Sequence, residues 1–384
     1  MIGIEKKQCV GCSACYNVCP VHAIEMRMDE EGFRYPLVNE SVCIKCGRCN
    51  ERCPAICEQE FKVGTAYAIQ HENQNVLMNS ASGGLFTAIS DVILANGGIV
   101  YGAAYSDNLE VKHVRAEDRS GRDRMRGSKY IQSDMGRIYA EISEDLQAQR
   151  SVLFVGTPCQ VHAVKNYFKA NNSSLLFTCD LVCHGVPSPR VFQDHLVFLS
   201  RKYRSKVVKY NCRPKRWGWH VHQEIATLEN GREIFGTAWS DVWRELYYRR
   251  VITRPSCYAC KYSRLERVGD ISIADCRHIE KTGLEINTYN GVSLALVNSS
   301  KGEEMLEAIR ESCMIEKVDV QKIIQPPLSA PSAPSEKRDA FWNTYTISGY
   351  RKAINQEFGK LYSLKYRIKK LVDKLAISCL SNLF

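Results

Sequence analysis

Nine of the eighteen cysteines fall within the first 57 residues, in two runs that share one spacing. Each run reads C-x2-C-x2-C-x3-C-P, and a shift of 34 residues superimposes one run on the other. In bacterial two-cluster ferredoxins, three thiolates of such a run bind one 4Fe-4S cluster and the fourth binds the other. The pattern therefore predicts two 4Fe-4S clusters, the first held by Cys9, Cys12, Cys15 and Cys53, and the second by Cys43, Cys46, Cys49 and Cys19.

Zinc is the alternative occupant, because paired C-x2-C units also form tetrahedral zinc sites. The pattern favours iron-sulfur clusters, since zinc would take four ligands from each half rather than three and an exchanged fourth. Cys57 is left without an assignment. Between the runs, residues 23–28 and 33–38 alternate in polarity around a turn that contains glycine, which predicts a short hairpin. We predict a ferredoxin domain over residues 1–60.

Composition narrows the class of protein. With 384 residues, 45% hydrophobic and 24% charged, the chain is typical of a globular protein of roughly two to three domains. No apolar stretch follows the N-terminal charges, and thiols that bind metal suit a reducing compartment, so we expect a cytoplasmic protein. Residues 351–384 carry +6 of the net charge of +10. The small remainder argues against a nucleic-acid partner.

After about residue 63, apolar runs alternate with helical patterns, the rhythm of α/β layers. No G-x-G-x-x-G motif follows any of these runs. The predicted fold class is α+β / α/β, a bacterial-type ferredoxin module followed by a mixed α/β body, whose two parts cover residues 63–148 and 149–325. The predicted buried strands are 98–105, 151–155, 174–182, 270–274 and 292–297.

The C-terminal region has a different composition. Four of the twelve prolines lie within residues 326–334, which predicts an extended, poorly packed segment over 326–345. Residues 346–384 predict a basic amphipathic tail that either docks on the body or contacts an anionic membrane surface or an acidic protein. Docking on the body is the favoured interpretation. The apolar stripe of the tail is Leu361, Leu364, Ile368, Leu371 and Leu375.

Five motifs follow one another in the body: SASGGLFT at 80–87, RGSKYIQS at 126–133, VGTPCQ at 155–160, CHGVPS at 183–188 and RPSCYAC at 254–260. In this order they resemble the coenzyme F420 hydrogenase/dehydrogenase beta-subunit family, fused to an N-terminal ferredoxin. The resemblance covers about residues 1–345. It implies an iron-sulfur flavoprotein oxidoreductase that binds FAD and passes electrons between its clusters and a two-electron partner.

The resemblance further implies a third 4Fe-4S cluster, held by Cys159, Cys183, Cys257 and Cys260. Only Cys257 and Cys260 form a C-x2-C pair that suggests metal by itself. Four buried thiols without metal are the alternative. Where the family commonly has a Gly-Asp-aromatic pattern, residues 274–278 read ADCRH, so Cys276 is an alternative ligand and this loop leaves the second substrate open.

Flavin contacts are also carried over by the resemblance. Small residues and free amides at the start of a helix suit a pyrophosphate, although a simple helix cap explains them as well. A cation beside the flavin stabilises its reduced ring; a strand-edge lysine and a core tyrosine are the alternatives for that pair. The implied contacts are Ser82, Gly83, Gly84, Lys129, Tyr130, Gly156, Thr157 and Pro158.

Three functions remain open at this point. The first is the flavin-dependent oxidoreductase, with a redox protein or a small molecule as electron donor or acceptor, a deazaflavin being one option. The second is a non-catalytic electron-carrier subunit that docks on a separate enzyme. The third is a transferase with Cys159 as nucleophile, aided by His162 or His184, since the start of a helix lowers a thiol pKa. No catalytic residue is assigned.

Overall fold

An eight-stranded mixed sheet forms the centre of the chain, accompanied by a two-stranded and a three-stranded sheet. The structure is a computed structural model that describes residues 3–58, 60–169, 174–237, 239–359, 364 and 368. The strands are β1 (Ile24–Met28), β2 (Arg34–Val38), β3 (Thr65–His71), β4 (Ile99–Tyr105), β5 (Val111–Ala116), β6 (Val152–Gly156), β7 (Leu176–Leu181), β8 (Val207–Asn211), β9 (Ile225–Leu228), β10 (Glu233–Ile234), β11 (Ile271–Asp275), β12 (Ser293–Val297) and β13 (Cys313–Lys317).

Twelve α-helices and five short 3-10 helices connect these strands within the described residues. The α-helices are α1 (Ala14–Val18), α2 (Arg48–Glu51), α3 (Gln74–Met78), α4 (Leu85–Ala95), α5 (Arg119–Asp123), α6 (Ile138–Gln147), α7 (Pro158–Tyr167), α8 (Pro189–Tyr203), α9 (Val242–Arg249), α10 (Ser300–Ala308), α11 (Arg338–Ser348) and α12 (Tyr350–Phe358). The 3-10 helices are Lys6–Gln8, Pro255–Ala259, Ile279–Thr282, Val320–Ile323 and Pro326–Leu328.

The large sheet has the strand order β13-β3-β12-β11-β7-β6-β4-β5. Its strands β4, β6, β7 and β11 run parallel, and antiparallel strands complete both sides. Parallel strands are covered on both faces, and β6 is buried at every position. All five predicted strands lie in this sheet, which confirms the mixed α/β fold class.

Helices cover both faces of the large sheet. Alternate residues of β6 point to opposite faces, Leu153 toward a core shared with α4 and α10, and Phe154 toward a core shared with α6 and α7. Cys12 and Ala14 of the N-terminal module belong to the second core. The module is therefore packed on the α6 and α7 side of the sheet, where α1 contacts both helices.

The N-terminal module contains the predicted hairpin. Strands β1 and β2 pair antiparallel, with Ile24 opposite Val38 and Met28 opposite Arg34. Each cysteine run bends through a tight loop into a short helix, α1 or α2. The cysteines are thus carried by loops and helix ends, where amides remain free to donate hydrogen bonds.

A third core gathers around Trp243, between the three-stranded sheet β10-β9-β8 and helices α8, α9, α11 and α12. This core corrects the prediction for residues 326–345. That segment contains a 3-10 helix with Leu328 buried and the start of α11, whose Phe341 and Trp342 are buried in the third core. Burial of the aromatic side chains outweighs the extended tendency of the prolines.

The predicted tail begins with a helix that packs on the body. In α12, Tyr350, Ala353, Ile354 and Phe358 are buried in the third core, in agreement with the docking interpretation for this part of the tail. The predicted stripe from Leu361 to Leu375 lies outside the described residues, apart from Leu364 and Ile368. Among the described helices, none combines the length and the hydropathy that crossing a bilayer requires.

Gly83 is held against the sheet by backbone contacts. Its carbonyl accepts a hydrogen bond from the amide of His71 at 2.8 Å, and a Cβ at this position would collide with the Ile69 carbonyl and the Ser293 amide. Backbone atoms cannot move aside as a flexible side chain can. The glycine therefore lets the segment before α4 lie directly on β3 and β12.

We expect Gly83→Ala to lower the free energy of unfolding by about 1–3 kcal/mol, the usual cost of overpacking. Urea unfolding of oxygen-protected protein measures it. Gly359→Ala is the matched control, because a Cβ there would meet no atom within 4 Å. Equal stability of the two variants would show that the close approach at Gly83 does not constrain the fold.

Candidate functional site

The first cysteine set, Cys9, Cys12, Cys15 and Cys53, is buried beside α6 and α7, each side chain no more than 9% exposed. Burial raises the pKa of Cys15 to about 12, and the charges of Cys9 and Cys53 act in the same direction. The pKa of Cys12 is raised well above its usual range, again by burial first and then by the other three sulfurs of the set. The structure thus brings the four sulfurs within electrostatic reach of one another.

The chemistry of this set fits a bound iron cluster. Backbone amides just after the cysteines donate hydrogen bonds to Cys12, Cys15 and Cys53, which opposes the rise of their pKa values. Four crowded thiolates in an apolar core need a cation, and amide donors disperse the sulfur charge that remains. Iron would supply the cation, and the residues present supply the donors.

The second cysteine set, Cys19, Cys43, Cys46 and Cys49, lies nearer the surface. Cys46 is exposed, and the other three are half-buried. Burial raises the pKa of Cys49, and the charge of Cys46 adds to it. Cys49 in turn acts on Cys15, so the two sets are electrostatic neighbours.

The third cysteine set, Cys159, Cys183, Cys257 and Cys260, gathers at the carboxyl ends of parallel strands. Cys159 follows β6 and Cys183 follows β7, and these two strands are neighbours in the sheet. The 3-10 helix Pro255–Ala259 brings the remaining pair, with Cys260 just after its end. Burial raises the pKa of Cys183 to about 12, followed by the charges of Cys159 and Cys260. Cys257 interacts with all three others.

Cys159 differs from the sequence-based expectation of a lowered pKa. Burial raises its pKa to about 11, although the Thr157 hydroxyl, 3.2 Å from the sulfur, and the Gln160 amide both lower it. Loss of solvation outweighs the helix start at this position. A neutral, buried thiol is a weak nucleophile, which weakens the transferase interpretation.

Cys276 and Cys57, which the sequence left open, both lie outside the three sets. Cys276 is fully buried in an apolar core with Trp219 and Ile279, and the charges that act on it come from Asp275 and Glu280. Cys57 is half-buried, and its Sγ lies 3.1 Å from the Glu51 carbonyl. Across the described residues, no three Cys, His, Asp or Glu side chains converge tightly enough to cage a single metal ion.

Two tyrosines lie between the first and third sets. Tyr139 donates a hydrogen bond from its hydroxyl to the Cys12 carbonyl at 2.8 Å, and its pKa responds to burial and then to Cys12, Cys15 and Cys159. Tyr262 responds in the same way to sulfurs of both sets and hydrogen-bonds His162 Nδ1 at 2.6 Å. Each of these tyrosines therefore lies close enough to interact electrostatically with sulfurs of the first set and of the third set.

A cavity of about 970 Å³ opens beside the third set, and all four of its cysteines line the wall. This volume is within the range of cofactor pockets, roughly 300–1,000 Å³. Every implied flavin contact except Gly83 also lines the cavity. These residues are Ser82, Gly84, Lys129, Tyr130, Gly156, Thr157 and Pro158.

Three buried polar atoms on residues of this wall have no hydrogen-bond partner among the described residues: His113 Nδ1, Arg126 Nε and Arg213 Nε. His113 Nε2 lies 3.1 Å from the Val155 carbonyl, so Nε2 carries the proton and Nδ1 is an acceptor. Because buried polar groups are almost always paired, an acceptor and two donors left open fit a polar occupant such as FAD.

Lys129 lines the cavity, but its ammonium group already donates to backbone carbonyls. Its Nζ donates to the Met125 and Arg126 carbonyls at 2.7 and 2.9 Å. Burial lowers the pKa of Lys129 to about 7. The ammonium group is already engaged by the backbone, so any effect on a bound flavin acts across space.

Sequence reasoning missed two buried cations. Arg213 pairs with Asp275 at the end of β11, and Trp219 Nε1 donates to the same carboxylate at 3.3 Å. Lys215 is 5% exposed and donates to the carbonyls of Leu77, Ser82 and Asn290, which fixes the segment before α4. The sequence around Arg213 and Lys215 resembles a solvated basic loop. Only the fold shows that these two side chains are buried.

The cavity also has cations without a carboxylate partner. Among the described residues, no acidic side chain lies within 4.0 Å of Arg250 or Arg277, and both line the cavity. His184 lies with them; burial lowers its pKa to about 4, and the charges of Arg277 and Arg250 add to this. This part of the wall therefore presents positive charge around a neutral imidazole.

Comparison with known proteins assigns two segments. Residues 149–323 match the family described as the C terminus of the beta subunit of coenzyme F420 hydrogenase/dehydrogenase, and residues 8–57 match "4Fe-4S dicluster domain". The F subunit of the F(420)H(2) dehydrogenase of Methanosarcina mazei is 24% identical over 197 residues, which cover 47% of this chain and 54% of that protein. An uncharacterised ferredoxin of Methanocaldococcus jannaschii is 35% identical over 51 residues, 13% of this chain and 65% of that protein.

The chain spans about half of the length of the first of these relatives. A chain of the F420-reducing NiFe hydrogenase complex from Methanosarcina barkeri is 17% identical, with a TM-score of 0.47 over 80% of this chain and 97% of that one. The C-terminal segment is thus related to the beta subunit of coenzyme F420 hydrogenase/dehydrogenase, and it follows a segment that matches a 4Fe-4S dicluster domain.

His113 should make stability pH-dependent. Burial lowers its pKa to about 4 from the usual 6.5, so its neutral form stabilises the fold above pH 6.5 and this stability is lost as the pH falls toward 4. We expect His113→Gln to gain about 1–2 kcal/mol relative to the native chain between pH 6.5 and 5, measured by urea unfolding.

The control for this measurement is His278→Gln, because the His278 side chain is 50% exposed. It should follow the native pH profile. A His113→Gln profile parallel to the native one would contradict a neutral, buried imidazole.

Proposed function

We propose that the chain is an iron-sulfur flavoprotein oxidoreductase. Two 4Fe-4S clusters occupy the first and second cysteine sets, a third occupies Cys159, Cys183, Cys257 and Cys260, and FAD occupies the adjoining cavity. Electrons pass one at a time between the clusters and the flavin, and the flavin exchanges an electron pair with a small-molecule or deazaflavin-type partner. The ferredoxin domain of residues 1–60 and the body of residues 63–325 divide these tasks.

One observation carries the proposal: the third cysteine set and the implied flavin contacts line a single cavity. The carrier alternative needs only the two ferredoxin clusters and gives no reason for a large cavity with open polar atoms beside four more cysteines. Tyr139 and Tyr262 support the connection, because each senses sulfurs of the first and third sets. The first set, the third set and the cavity are thus neighbours in this order.

The residues of the cavity bind and orient rather than react. When bound, FAD supplies the exchange between single electrons and a hydride. Ser82 and Gly84 before α4, and Thr157 and Pro158 at the start of α7, line the cavity, and such helix starts suit phosphate oxygens. Lys215 fixes the first of these segments through the Ser82 carbonyl, and the capping box between Thr157 and Gln160 fixes the second. Both supports are built from partly buried hydrogen bonds, which limits reorganisation.

The unpaired cations Arg250 and Arg277 favour an anionic partner for the flavin. Half-buried Arg250 and exposed Arg277 place two positive charges on the wall, and among the described residues no carboxylate lies within 4.0 Å of either. An arginine binds a carboxylate or phosphate through two parallel, charge-assisted hydrogen bonds. We therefore propose that the two-electron partner carries such a group.

The cofactor content of oxygen-protected protein tests the proposal. We expect about twelve irons and one FAD per native chain, since each of three clusters holds four irons. Cys257→Ala should contain about eight irons. Cys313→Ala is the matched control, because Cys313 is buried but outside all three sets, and its iron content should be native.

Other outcomes select the alternatives. About eight irons and no flavin in the native chain would replace the proposal with the electron-carrier role. A covalent acyl adduct on Cys159, with native iron content in Cys159→Ala, would favour the transferase.

Arg277→Gln should weaken binding of the anionic partner. We expect KM to rise roughly tenfold with kcat little changed, because a charge-assisted hydrogen bond contributes about 1.5–3 kcal/mol. Steady-state kinetics with whichever of coenzyme F420, NADH and NADPH the native protein turns over measures this. Lys281→Gln is the control, because it removes the same charge from a nearby exposed residue that does not line the cavity. An unchanged KM would exclude Arg277 from recognition.

A further inference from the structure

We infer that Arg254 is a positioning residue for electron transfer: its buried guanidinium places one positive charge between the first and third clusters and makes both easier to reduce. The inference rests on the proposed three-cluster function. The Arg254 side chain donates no hydrogen bond to a cysteine sulfur or to any of the implied flavin contacts.

The contacts of Arg254 fix its position from several segments. The side chain is 1% exposed. Its Nε donates to the Cys9 carbonyl at 2.8 Å, and its two terminal nitrogens donate to Gln132 Oε1 at 2.9 Å and to the Arg34 carbonyl at 3.0 Å. The guanidinium therefore joins the N-terminal module to the body and has little freedom to move.

The charge of Arg254 lacks a local counter-charge. Among the described residues, no carboxylate lies within 4.0 Å of its guanidinium. Two other deeply buried arginines each have one: Arg122, 1% exposed, pairs with Asp91 at 2.9 Å, and Arg267, 3% exposed, pairs with Asp180 at 2.5 Å. The Tyr35 ring, with its centroid 4.3 Å away, gives only a weaker cation–π contact.

An unpaired charge in the interior is costly, so its retention needs a compensating anion. The first cysteine set supplies one such anion when a cluster is bound. Arg254 holds the Cys9 carbonyl, and it lies so near Gly11 that a Cβ there would be 2.8 Å from a guanidinium nitrogen. Gly11 also has φ +68°, so the loop of the first set has the conformation that lets the cation approach.

The third set lies on the other side of the same charge. The Arg254 carbonyl accepts a hydrogen bond from the Cys257 amide at 3.0 Å, so the residue begins the segment that carries two of the cysteines. The Arg254 amide in turn donates to the Val186 carbonyl at 3.0 Å, in the segment that follows Cys183. Both sets therefore experience the field of one guanidinium.

Electrostatics then predicts a particular signature. Each electron adds one negative charge to a cluster, and a nearby cation in a low-dielectric interior stabilises the reduced form. Because Arg254 acts on the first and third clusters together, their reduction potentials should move in parallel. The second set includes the exposed Cys46, where water screens the same charge, so its cluster is an internal reference.

The test is an EPR-monitored redox titration of oxygen-protected protein. We expect Arg254→Gln to lower the potentials of the first and third clusters by about 59 mV, a tenfold change in the reduction equilibrium for one electron. The second cluster should keep its native potential. Arg254→Lys retains the charge and should keep potentials close to the native values. Arg264→Gln removes an exposed, ion-paired arginine and should leave all three potentials unchanged.

A second variant keeps the test independent of the folding of Arg254→Gln. Gln132→Glu retains the arginine but places a carboxylate at its side, since Gln132 Oε1 already accepts from the guanidinium. Neutralised in this way, Arg254 should give the same lowered potentials.

The outcomes separate the inference from the proposed function. Native potentials in both Arg254→Gln and Gln132→Glu, with about twelve irons in each, would overturn the role of Arg254 and leave the three clusters in place. Equal shifts in Arg254→Gln and Arg254→Lys would also overturn it, because geometry rather than charge would be responsible. About eight irons in the native chain would refute the proposed function itself.

Discussion

Repulsion between buried thiolates is the constraint on which this structure depends. The first and third cysteine sets each hold four sulfurs that raise one another's pKa values, and burial raises them further. Such a group is stable in two ways only, as neutral thiols or as thiolates with a strongly bound cation. The amides around the sulfurs favour the second, because their donated hydrogen bonds stabilise charge and contribute little to a neutral thiol.

The fold meets this constraint by placing cysteines where backbone donors are not yet used. Loops and helix starts carry them, and the parallel strands β6 and β7 bring two such starts to one edge of the sheet. Open parallel sheets form their binding crevices at this edge. The same geometry that gathers the third set therefore also leaves the cavity beside it, and one topological feature accounts for both.

The sequence was most informative where chemistry depends on local spacing. The cysteine runs identify the dicluster domain because three ligands lie within seven residues of one another, and the buried strands follow from apolar runs. Long-range packing was not accessible in this way. Nothing local distinguishes the buried Arg213 and Lys215 from solvated neighbours, the aromatic face of α11 is hidden behind a proline-rich stretch, and the pKa of Cys159 depends on burial that only the tertiary structure creates.

Burial orders the three proposed clusters along one direction. The second set reaches the surface at Cys46, the first is buried beside helices α6 and α7, and the third lines the cavity. Under the proposed function, a protein partner would approach the second cluster and a small molecule would approach the flavin, so neither would need to reach the other's site. Separation of this kind prevents the two-electron partner from meeting an exposed cluster directly. In that arrangement every electron passes through the buried first cluster. The charges around this cluster set its reduction potential and therefore the favoured direction of electron transfer.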